Sequence, residues 1–184
     1  MRMAKVNLAA TDGLLVNLVL IFAVTFICFP GLTDDSYFNF LAKVRNEANW
    51  YNLSCLLMFN LLDTIGRFCG GMESFSLGNR TITILTWARF LCVGTFLLIA
   101  FEVKPVWLFD ADWFKVINLA VFAFGDGHLG TVCSVKAPQT VEGERKGQVG
   151  TLISIGVSLG ILTGSTLAAT VMAQIVKLTP AAQA

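Results

Sequence analysis

Five stretches of about twenty mostly apolar residues follow one another along this chain, and each is long enough to cross a bilayer as a helix. They run 14–32, 51–70, 82–101, 113–135 and 149–176. Hydrophobic residues make up 55% of the 184 positions and charged residues only 14%, against about 25% charged in an ordinary soluble domain. The mean hydropathy is +0.71. These features predict an all-α polytopic membrane protein with one bundle of five transmembrane helices filling residues 1–184. A net charge of +1 and the absence of any basic stripe exclude a nucleic acid polymer as partner. The partner that composition does imply is the lipid bilayer itself.

The basic start, Met1 to Val6, resembles the head of a signal peptide. The run behind it is too long for a signal core, no Ala-x-Ala-like site follows, and Asp34-Asp35 comes next. It is therefore expected to stay as a spanning helix. Trp50, Trp107 and Trp113 fall near the expected water interfaces, where indole rings prefer to sit. Lysine and arginine divide six to five between the two sides, which leaves orientation open. Cys28, Cys55, Cys69, Cys92 and Cys133 lie in or beside apolar runs without metal-ligand spacing, so they read as small buried apolar residues.

Inside the second run, Asn60, Asp63 and Arg67 stand at i, i+3 and i+7 and share one helical face. Charges in hydrocarbon are costly and must face protein or a water-filled cavity. Asp63 and Arg67 are four apart, the spacing of an intrahelical ion pair. Two readings stay open: a clamp between helices, or a ligand site in which the carboxylate accepts from hydroxyls while the guanidinium donates. A vicinal diol such as that of ribose suits the second. Arg89 lies midway along the third run and needs a carboxylate, with Asp63 and Asp126 as candidates. In Phe124-Gly-Asp-Gly-His-Leu-Gly130, glycines flank Asp126 and His128 and are expected to loosen the fourth helix, as at transport sites. Asp126, His128 and Arg89 therefore serve either cavity lining or structural pairing. Gly156, Gly160 and Gly164 repeat every fourth residue and predict a smooth groove for a partner helix. Glu142 to Lys146 reads as a solvated loop.

No phosphate-cradling Gly-rich loop, His-Glu-x-x-His motif or nucleophile elbow occurs, so neither an ATP-driven pump nor an enzyme is expected. No cofactor is expected either.

Five segments in order resemble the C-terminal half of the equilibrative nucleoside transporters. Phe29-Pro30 is similar to the end of that family's seventh helix. Phe59-Asn-Leu-Leu-Asp-Thr-Ile-Gly-Arg67 resembles its eighth-helix signature. Ala88-Arg89 resembles the ninth, Phe122 to Gly130 the tenth, and the ladder after Glu144 the eleventh. Asp126 and His128 stand where the family usually has Asn and Tyr. The resemblance implies a major-facilitator-like bundle and facilitated diffusion of nucleosides or nucleobases by alternating access, at the plasma membrane. It implies that Asp63 and Arg67 bind ribose hydroxyls, that Asn60 supports them, and that Phe29 and Pro30 shape the cavity wall. It also implies a missing partner, the family's N-terminal six-helix bundle, supplied by the same protein or a relative. Two other functions are consistent with the residues. One is a truncated, non-transporting module that packs through the glycine ladder. The other is an organic-cation carrier, which Asp126 favours.

Overall fold

A computed structural model of the chain describes residues 8–29, 50–100 and 111–178. Five helices account for most of them: α1 (Leu8–Ile27), α2 (Trp50–Gly71), α3 (Asn79–Ala100), α4 (Asp112–Lys136) and α5 (Arg145–Leu178). No strand occurs among the described residues. Four helices are long and apolar enough to span a membrane, and α1 contributes a shorter apolar stretch, Thr11–Ile27. The protein is an all-α polytopic membrane protein.

Every helix begins before its apolar run, two of them by a full turn or more. α1 starts at Leu8 rather than at residue 14, and α5 starts at Arg145 rather than 149. The apolar run marks only the part of a helix that meets hydrocarbon, whereas polar turns continue into the headgroup region. At 34 residues, α5 is roughly 50 Å long, well beyond the ~30 Å core. Arg145 and Lys146, expected in a loop, thus form its exposed first turn. The preceding turn contains Gly143 at φ 61°, a left-handed conformation that glycine adopts without strain.

The place of α1 follows from its composition. It is apolar on nearly every side, and such a helix belongs in the interior. It packs against α5, α4 and α3 and is the hub of the bundle. Leu14, Leu18, Ile21 and Val24 along it are almost fully buried. α2 is placed differently, packing chiefly on α4. Large side chains such as Leu57, Phe68, Leu91 and Leu162 point outward, as expected where lipid rather than water is the neighbour.

The helices alternate in direction. At one end, the hydroxyls of Thr11 and Thr140 pair, joining the start of α1 to the 3-10 turn Ala137–Thr140 after α4. Lys136 donates to the Leu77 carbonyl at the same end. Nearly two turns deeper, Asn17 Nδ2 donates to Thr83 Oγ1 at 2.9 Å, tying α1 to α3. At the other end, Val24, Cys28, Cys55, Phe59, Phe96, Leu119 and Phe122 form one apolar cluster from four helices. Its rings interlock: Phe29 stacks on Phe59 at 4.1 Å, and Phe96 meets Phe122 edge-on at 5.2 Å. No disulfide joins the five cysteines, of which Cys28, Cys55 and Cys133 are buried.

Candidate functional site

The eighteenth residue of α2, Arg67, reaches back one turn, and its Nε donates to Asp63 Oδ2 at 2.7 Å. The two halves of this pair differ in exposure. The Arg67 side chain is 49% exposed and that of Asp63 only 12%. Asp63 Oδ1 is buried with no hydrogen-bond partner among the described residues. A buried carboxylate oxygen without a partner is uncommon and calls for one. The pair therefore presents an exposed guanidinium beside a carboxylate oxygen without a partner among the described residues.

Asn60 shares the stripe but does not join the pair. It is exposed, and its Nδ2 donates to Leu56 O of its own helix at 2.8 Å. Thr64, between Asn60 and Arg67, is exposed as well and returns its hydroxyl to Asn60 O at 2.7 Å. Phe29 extends α1 in a wider turn and lies flat on Phe59, the residue before Asn60. Pro30 lies outside the described residues.

Of the two acids open to Arg89, the structure brings Asp126 to it. Arg89 Nη2 lies 3.3 Å from Asp126 Oδ1, and both side chains are nearly inaccessible. Thr25 of α1 bridges them. Its hydroxyl accepts from Arg89 Nη2 at 2.7 Å and lies 2.5 Å from Asp126 Oδ1, to which it donates. Arg89 Nη1 donates to Phe122 O at 2.9 Å, and the guanidinium carbon stands 4.6 Å from the Phe122 ring centre. One polar knot therefore ties α1, α3 and α4 together at mid-depth. Two ion pairs thus lie in neighbouring parts of the bundle, Asp63–Arg67 within α2 and Arg89–Asp126 between α3 and α4.

The expectation that glycines loosen α4 is corrected. α4 is a continuous α-helix through Gly125, Gly127 and Gly130, and the glycines serve packing instead. A Cβ on Gly127 would lie 1.9 Å from Asp63 O, and one on Gly66 would lie 2.3 Å from Phe124 O. Gly70 meets His128 O in the same way at 2.6 Å. α2 and α4 thus touch backbone to backbone. Gly125 leaves room for the Arg89 guanidinium, whose Nη1 would stand 3.0 Å from a Cβ there. His128 is buried beside this crossing. Its ring stacks on Phe124 at 5.8 Å, and its Nδ1 has no hydrogen-bond partner among the described residues.

The ladder on α5 meets α1. A Cβ on Gly160 would lie 2.6 Å from Val19 O, and one on Gly164 2.5 Å from Ala23 O. At Gly156 the nearest atom is a Val19 methyl at 3.4 Å, an ordinary contact.

Sequence reasoning missed Thr25 and the α2 glycines. A threonine in an apolar run gives little away, because its hydroxyl is usually satisfied by its own helix. Gly66-x-x-x-Gly70 did carry a signal, the same four-residue spacing that marks α5.

Residues 2–173 match the family model described as nucleoside transporter. Among curated proteins, the chain is 29% identical over 154 residues to equilibrative nucleotide transporter 3 of Arabidopsis thaliana, covering 83% of this chain and 34% of that protein. It is 28% identical over 161 residues to equilibrative nucleoside transporter 2 of Homo sapiens, covering 82% and 33%. With human equilibrative nucleoside transporter 1 the identity is 26% over 150 residues, covering 79% and 32%. The chain spans about a third of the length of these relatives.

Proposed function

Because the chain belongs to the nucleoside transporter family, a family of carriers rather than enzymes, we propose that it forms the ribose-gripping bundle of a carrier that moves nucleosides or nucleobases across a plasma membrane by facilitated diffusion. The observation that carries this reading is the Asp63–Arg67 pair, with one exposed guanidinium and one buried carboxylate oxygen lacking a partner. Asp63 accepts from the 2′- and 3′-hydroxyls, and Arg67 donates to the same sugar. Asn60 and Thr64 flank the sugar on the exposed side of α2. A second helical bundle, supplied by the part of the relatives' length that this chain does not span, closes over this side and completes the cavity. Alternating access then follows from rocking one bundle against the other. Affinity must be loose enough for release, in the micromolar to millimolar range or about −8 to −4 kcal/mol.

Two alternatives lose their footing. A module that recruits partners through Gly156, Gly160 and Gly164 needs that face vacant, and α1 fills it. An organic-cation carrier needs the Asp126 charge, which is 3% exposed and engaged by Arg89 and Thr25.

Radiolabelled nucleoside uptake by the native protein in cells tests the proposal. Asp63→Asn and Arg67→Lys each remove a hydrogen bond to a charged group, about 1.5–3 kcal/mol, so uptake should fall roughly ten- to hundredfold at unchanged surface abundance. Normal uptake in both variants would leave the pair purely structural.

A further inference from the structure

The α2–α4 crossing is set at one particular turn of α2. The Gly127 Cα faces Asp63 O so closely that a Cβ would stand 1.9 Å from it and 2.8 Å from Arg67 N. Those two atoms are the acceptor and donor of a single i to i+4 backbone hydrogen bond of α2. Gly127 therefore lies directly against the peptide groups of both members of the charge pair. Gly66, between them, faces back onto Phe124 O, and Gly70 faces His128 O. The contacts interlock from both sides, an arrangement that suits Cα–H···O contacts of about 0.5–1 kcal/mol each. Asp63 is at the same time held by Arg67 through Oδ2, while Oδ1 stays buried and without a partner among the described residues. With the backbone fixed by glycine and one oxygen fixed by Arg67, the position of the vacant oxygen depends on how closely α4 approaches.

We propose that Gly127 is a positioning residue for substrate binding. It sets the depth and angle at which Asp63 and Arg67 present themselves, acting through the α2 backbone and touching no substrate. This rests on the reading of Asp63 and Arg67 as the sugar site. Any side chain at position 127 pushes the Asp63–Arg67 turn away from α4 and carries both binding groups with it. Gly160 is the matched control. It makes the same kind of backbone contact, with Val19 O at 2.6 Å, but against α1 and away from the pair.

Concentration-dependent nucleoside uptake should be measured on the native protein carrying Gly127→Ala, Gly160→Ala or Asp63→Asn, normalised to surface copies. Gly127→Ala should raise KM about tenfold or more, whereas Gly160→Ala should lower abundance and leave KM near wild type. A wild-type KM in Gly127→Ala, or an equal rise in Gly160→Ala, overturns the proposal. A wild-type KM and rate in Asp63→Asn overturns the underlying reading instead. Should Gly127→Ala fail to reach the membrane, Gly70→Ala carries the test, about two turns along α2 from Asp63. It should raise KM about threefold, and an unchanged KM there defeats the proposal.

Discussion

Replacing Arg89 by Gln strips the only cation from the polar knot that joins α1, α3 and α4 and leaves Asp126, 3% exposed, facing Thr25 alone. Breaking a buried ion pair from one side costs about 3–5 kcal/mol. For a chain of this size 1 kcal/mol shifts the melting temperature by about 2–4 °C, so Arg89→Gln should lower it by roughly 6–20 °C. Asp126→Asn should be milder. An asparagine oxygen still accepts from Thr25 or Arg89 Nη2, and the guanidinium keeps Phe122 O at 2.9 Å and the Phe122 ring. The loss is then one charge-assisted contact, about 1.5–3 kcal/mol. Removing both charges leaves a neutral polar cluster, so the double variant should be more stable than the sum of the single losses predicts. A coupling of about 2 kcal/mol is expected. Thermal denaturation of the detergent-solubilised native protein, followed by size-exclusion fluorescence, measures all three variants. Strict additivity would refute the reasoning, because it would mean that neither charge is buried at the other's expense.

Gly164→Ala places a methyl 2.5 Å from Ala23 O and should destabilise the α1–α5 seam by about 1–3 kcal/mol, whereas Gly156→Ala, with 3.4 Å of clearance, should be tolerated. Surface abundance of the two variants distinguishes them. Asn17→Ala breaks the bond to Thr83 and should lose about 0.6–1.7 kcal/mol. That loss should vanish in the Thr83→Ala background when melting temperatures are compared. Thr25→Val keeps the shape of the knot but removes its bridging hydroxyl. It should cost about 1–3 kcal/mol, read from the same melting curves.

The helices were legible because a bilayer demands runs of a given length, and the Asp63–Arg67 pair was legible because its geometry is internal to one helix. The partner of Arg89 was narrowed to two acids. Choosing between them needed the crossing angle of α3 and α4, which no local pattern encodes. Thr25 stayed hidden for a related reason, since its importance lies in facing Asp126 across 101 positions of sequence. The glycines around Asp126 were visible but misread. A glycine frees its own backbone and also admits a neighbouring one, and sequence does not say which use prevails. Here the neighbouring helix, with glycines of its own at 66 and 70, decides the matter.

α1, α3 and α4 are keyed together by directional bonds at Asn17, Thr25, Arg89 and Asp126, so they must travel as one wedge. α5 meets α1 and α2 meets α4 backbone to backbone at glycines, whose contacts fix the register of each pair. α2, leaning chiefly on α4, inherits whatever displacement the wedge makes, and the charge pair it carries is steered from α4 rather than from the lipid side.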